Sequence, residues 1–188
     1  MVNCSTRSLI LNPQHQTFIP LMKQRRILHL WFPCLPLDRL IRAQDPRLEG
    51  PFAVTREVKG AQRLLVANAV ASQTGLTPNM SLADARAICP DLLTEPENAA
   101  RDMLLLSALR RWADQFSPKV EISKPDALVL DMSGIAHLYG GEDHFLTAVE
   151  ESLQDLQIAA RSAVAETPTA ARAWARFRYG EHKYGSII

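Results

Sequence analysis

A chain of 188 residues that is 47% hydrophobic and 22% charged has the make-up of an ordinary globular protein, with enough apolar mass for a generous core. Its formal net charge of +1 means that any nucleic-acid contact must come from local clusters of Lys and Arg. Cys4, Cys34 and Cys89 are widely spaced with no CxxC pair, which argues against a zinc site or disulfide framework and suits a reducing cytoplasm, and no apolar run approaches the roughly 20 residues that span a membrane.

Residues 1–24 show neither periodicity nor a signal-peptide layout and are expected to form a poorly ordered tail, with Met22 an alternative start of the folded unit. RILHLWF (26–32) is a compact apolar run ending at Pro33 and reads as a buried strand. PLDRLIRAQ (36–44) carries Leu37, Leu40 and Ile41 at helical spacing and stops before Pro46. FAVTREVKGAQRLLVAN (52–68) predicts a hairpin turning at Lys59-Gly60, and SLADARAIC predicts a short helix capped by Ser81. Thr94 and Glu97 have capping-box spacing ahead of a helix whose apolar face includes Ala100, Met103, Leu104, Leu109, Trp112 and Phe116.

Two strands follow, KVEIS (119–123) and DALVLDM (126–132), separated by Lys124-Pro125. HLYGGED (137–143) is a loop leading into an amphipathic helix over about 144–156, then a strand at 159–166 and a helix at 167–177. Ile187 and Ile188 read as the beginning of another strand. The order β-α-β-β-α-β, from 26–44, 97–132 and 144–166, predicts an α+β, ferredoxin-like sheet covered by helices on one face, with 45–96 inserted after its first strand.

Four pieces in this order resemble the Y-family (UmuC-like) DNA polymerases: GPFAVTREV (50–58), VANAVASQTGLTPNMSLADARAICPDL (66–92), DALVLDMSG (126–134) and TPTAARAWARF (167–177). LWFPCLPLDRL (30–40) and DALVLDMSGIAHLYGGE (126–142) are similar to the ImuB-like subgroup. The resemblance implies a palm over 25–44 and 97–188, a small α/β fingers insertion over 45–96, and truncation before the thumb and little finger.

Nucleotidyl transfer in that family implies two divalent cations held by carboxylates, two of them from a D-x-D on the first strand, where residues i and i+2 share a face. The resemblance places Leu30 and Phe32 at those positions, and neither can ligate a hard cation. On the hairpin, Asp126 falls at one catalytic carboxylate and Ala127 at the adjacent Glu position. The tyrosine near the sugar falls at Ala69, and the triphosphate-contacting arginine at Ser72, whose hydroxyl replaces little of a guanidinium. Asp126 is therefore a relic candidate, although an Asp at a strand start is commonly a turn or cap residue.

Arg56, Lys59 and Arg63 surround the hairpin and are candidate phosphate contacts; solvated hairpin charges explain them equally well. Lys23, Arg25 and Arg26 form the densest basic patch. His29 and His137 are expected to be packed or hydrogen-bonded rather than ligating, Gly140-Gly141 a turn, and Trp112 and Trp174 core residues. The resemblance implies a DNA-repair accessory protein without cofactor or catalytic metal of its own. It would reach DNA through its parent protein and meet a sliding clamp, a RecA-like partner and an error-prone replicative-class polymerase in the cytoplasm, with no membrane. An active Y-family polymerase with an unusual metal set, and an unrelated ferredoxin-like interaction domain, are the competing readings.

Overall fold

The computed structural model describes residues 25–177. The tail expected over 1–24, the alternative start at Met22, the basic residue Lys23 and the strand expected at Ile187-Ile188 lie outside the described residues.

Strand β1 (Ile27–Trp31) leads through Pro33 into helix α1 (Leu35–Arg42), with a proline in the first turn where no intrahelical donor is needed. A hairpin follows, β2 (Phe52–Val58) and β3 (Ala61–Ala67). Its turn places Lys59 (φ 52°) and Gly60 (φ 77°) in the left-handed region, as a twisted two-residue turn requires. Short helices α2 (Ala69–Gln73) and α3 (Leu82–Ile88) precede strand β4 (Leu93–Pro96). Ser81 caps α3 by accepting the Asp84 amide at 3.1 Å.

The chain then forms helix α4 (Ala99–Ala113), strands β5 (Val120–Ser123) and β6 (Ala127–Asp131), helix α5 (Glu142–Asp155), strand β7 (Arg161–Ala165) and helix α6 (Pro168–Phe177). Sheet order is β5-β6-β1-β7, with every neighbouring pair antiparallel, and this is the ferredoxin-like arrangement expected from the sequence. A second sheet, β3-β2-β4, is built from the inserted segment, with β2 and β4 parallel.

The main core lies between the four-stranded sheet and helices α4 and α5. Leu28, Leu30 and Phe32 pack there with Leu106, Leu109, Leu128, Leu130, Phe145 and Val149. The second sheet keeps its own small core around Ala53, Leu64 and Ala85. A third cluster seats Leu37 and Leu40 of α1 on Phe52, Val54 and Val66.

Four expectations are corrected. Thr94 and Glu97 form no capping box: Thr94 pairs with Ala53 in the sheet, and Asn98 caps α4 by accepting the Arg101 amide at 3.0 Å. The buried stripe of α4 runs through Asp102, Leu106, Leu109 and Ala113, whereas Leu104 is 71% exposed and Ala100 is exposed. Helices cover both faces of the four-stranded sheet, because α6 packs on β1 and β7 opposite α4 and α5. Its buried residues Ala171 and Ala175 are small and one turn apart, which lets the helix lie close to the strands; Trp174 is half exposed rather than a core residue.

Candidate functional site

Strand alternation sends Leu30 and Phe32 to one face, as expected, but that face is the one covered by α4 and α5. Both side chains are fully buried. On the other face, Ile27, His29 and Trp31 point toward α6, beside Ala127, which pairs with Trp31 and is also buried. Residues 30, 32 and 126 thus do not wall a common pocket. Leu30 and Phe32 sit in the core while the Asp126 carboxylate belongs to the α6 face.

Each oxygen of that carboxylate holds a hydrogen bond. The Trp31 indole Nε1–H donates to Asp126 Oδ2 at 2.9 Å, and the Arg176 guanidinium donates to Oδ1 at 2.7 Å. The Asp126 carbonyl in turn accepts the Phe32 amide at 2.9 Å. Arg176 lies over the Trp31 ring at 4.9 Å, and Arg161 of β7 lies over the same ring at 5.5 Å. Such stacking aligns a cation with the electron-rich face of the indole.

His29 lies on the same side of β1 and is buried, and neither ring nitrogen has a hydrogen-bond partner. Burial, reinforced by Arg176 and Arg172, lowers its pKa to about 4, so the imidazole is neutral near pH 7. Among the described residues, no group of three or more His, Cys, Asp or Glu side chains could hold a metal ion. One carboxylate with both oxygens occupied does not fit a pair of divalent cations, which require several oxygen ligands.

In the inserted segment, Ala69 is the exposed first residue of α2, and Ser72 is half-buried one turn on. Neither offers charge to a triphosphate. Asn68 is the organising residue here: its Oδ1 accepts the Phe52 and Ala71 amides at 3.1 and 2.9 Å. Its Nδ2 donates to the Leu48 and Gly50 carbonyls at 3.1 and 2.7 Å. Lys59 is exposed at the hairpin tip. Arg56 is paired with Glu97 at 2.8 Å, and Arg63 donates to the Asn79 carbonyl at 2.8 Å. Arg26, from the basic patch, is paired with Glu142. His137 lies in a short 3-10 turn, Ala136–Tyr139, closed by Gly140 at φ 85°.

Residues 37–176 match the impB/mucB/samB family. The chain belongs to that family. Within it, the chain is 44% identical over 103 residues to protein ImuB of Caulobacter vibrioides, a match covering 55% of this chain and 22% of that protein. It is 31% identical over 111 residues to DNA polymerase IV 2 of Mesorhizobium japonicum, covering 58% of this chain and 26% of that one. The crystal structure of DinB from Sulfolobus solfataricus superposes with a TM-score of 0.61 at 16% identity, over 80% of this chain and 45% of that chain. A post-insertion binary complex of Dbh DNA polymerase gives a TM-score of 0.65 at 17% identity, with the same coverage. This impB/mucB/samB chain therefore has the fold of the Y-family polymerase region it overlaps, and the ImuB-like resemblance in LWFPCLPLDRL and its hairpin agrees with the 44% identity. It spans less than half the length of each of these relatives.

Sequence reasoning missed Trp31, Arg161 and Arg176 as members of the Asp126 cluster. The one available signal was Arg172 and Arg176, four apart and hence on one side of α6.

Proposed function

We propose that this chain is a non-polymerising accessory unit in DNA-damage tolerance, acting as an adaptor alongside a separate error-prone polymerase. Residues 25–44 and 97–188 would serve as its palm, and 45–96 as its fingers. Membership of the impB/mucB/samB family and the similarity to protein ImuB support a role linked to DNA damage. The single observation that carries the adaptor reading is the state of Asp126, whose two oxygens already hold hydrogen bonds from Trp31 and Arg176. Metal-assisted phosphoryl transfer depends on carboxylates free to hold the ions.

Partners would be DNA, the sliding clamp, a RecA-like protein and a replicative-class polymerase. Among the described residues, no helix is long and apolar enough to cross a membrane. Lys59 is the most available of the hairpin cations for phosphate, since Arg56 and Arg63 already have partners.

Primer extension decides between adaptor and enzyme. With Mg²⁺ or Mn²⁺ and all four deoxynucleotides, the purified chain is expected to add no nucleotide. Extension that disappears in Asp126→Ala would overturn the adaptor reading and establish an active polymerase.

A further inference from the structure

We propose that the Arg176 guanidinium is the resident cation of the Asp126 carboxylate, closing it to divalent metal and fastening the last turn of α6 to the end of β1. The inference rests on the adaptor reading and adds what replaces the metal. Three elements meet at this point: β1 supplies the indole, the turn between β5 and β6 supplies the carboxylate, and α6 supplies the guanidinium. Each satisfies the others, because Trp31 presents its one donor to one oxygen and its ring face to the cation that holds the other oxygen.

The Arg176 and Asp126 side chains are only 24% and 26% exposed, so solvent screens the pair less than an ordinary surface ion pair. A divalent ion entering here would have to displace the guanidinium nitrogen already bonded to one carboxylate oxygen. It would also meet Arg161, which lies over the same indole ring at 5.5 Å. On the same side of β1 lies His29, buried with both nitrogens unpartnered and within electrostatic reach of Arg176, Arg172 and Asp126. With the guanidinium in place, that imidazole has no anionic co-ligand to offer a metal. Without it, Asp126 and His29 become an oxygen and a nitrogen donor on one face of the sheet.

The test is Mn²⁺ binding by electron paramagnetic resonance, read as loss of the free-ion signal, together with thermal unfolding of the same samples. Wild type is expected to leave the signal of millimolar Mn²⁺ unchanged. R176Q is expected to remove a measurable part of it and to lower Tm by several degrees; the double variant D126N/R176Q restores the signal, and its Tm loss is smaller than the sum of the single losses. R176K, which keeps the charge, should stay closed to Mn²⁺. If R176Q does not fold, the Mn²⁺ titration is read on Arg176→Met and on wild type in 1 M salt, and a closed site in both overturns the proposal. A folded R176Q with unchanged Tm, or with no gain of Mn²⁺, overturns it too while leaving the adaptor reading intact. Wild-type Mn²⁺ binding that Asp126→Asn abolishes overturns both.

Discussion

Writing the expected metal-binding motif back into β1 should unfold the protein rather than restore chemistry. Leu30 is fully buried between the four-stranded sheet and helices α4 and α5. In Leu30→Asp, the lost apolar burial costs about 3 kcal/mol. The new carboxyl must also stay neutral in an apolar site at pH 7, against an ordinary value near 4, which costs about 4 kcal/mol more. The combined penalty rivals the whole stability of a typical domain, about 5–15 kcal/mol. Because the folded-state pKa is raised, the carboxyl part of the penalty grows above pH 4 and vanishes below it. Circular dichroism melts at pH 4 and 7 measure this, with the larger loss expected at pH 7. Trp31→Asp, one residue along on the α6 face and beside two guanidiniums, is expected to lose much less. A Leu30→Asp protein melting within a few degrees of wild type at pH 7, alongside a collapsed Trp31→Asp, would mean that β1 presents its other face to the core.

Two buried groups should give opposing pH dependences. Burial raises the Asp38 carboxyl to about 7 although it accepts the Ala159 amide, so it erodes stability as pH rises from about 4 to 7. His29, lowered to about 4 by burial and by Arg176, erodes stability as pH falls from 6.5 to 4. Each effect is worth about 3–4 kcal/mol at full extent, so wild-type stability from urea melts should vary little across this window. Asp38→Asn should uncover the histidine, giving stability that climbs from pH 4 to 6.5; a flat profile in that variant would refute the assignment. Asn68→Ala removes a helix cap and leaves the Phe52 amide and two carbonyls without partners, which predicts a loss of about 2–4 kcal/mol in a urea melt. A loss under 0.5 kcal/mol would show that water replaces the amide.

The hairpin around Lys59-Gly60 was legible because its turn chemistry is local, and the Ser81 cap was legible for the same reason. The facing of β1 was not. Ile27, Leu28, His29, Leu30 and Phe32 are all buried, so the strand lacks the alternation that tells one side from the other. Thr94 and Asn98 both precede α4 with capping chemistry, and the sheet claimed Thr94 through its pairing with Ala53. On the apolar face expected for α4, Met103, Leu109, Trp112 and Phe116 do pack on the core, but Leu104 does not, because Leu104, Leu105 and Leu106 are adjacent and only tertiary packing selects Leu106. The Asp126 cluster joins residues up to 145 positions apart in the chain, from Trp31 to Arg176, and spacing along a sequence carries no trace of such a meeting.

Helix α1 holds two sheets with eight residues. Leu37 and Leu40 are seated on the three-stranded sheet, while Leu35 enters the main core, Asp38 takes the Ala159 amide, Arg39 grips Asp102 and Arg42 reaches the Leu156 carbonyl. Neither sheet can swing against the other without pulling this peg from one of its sockets. A load on the hairpin tip would thus pass through α1 to the 156–159 turn rather than be absorbed by a hinge between the sheets.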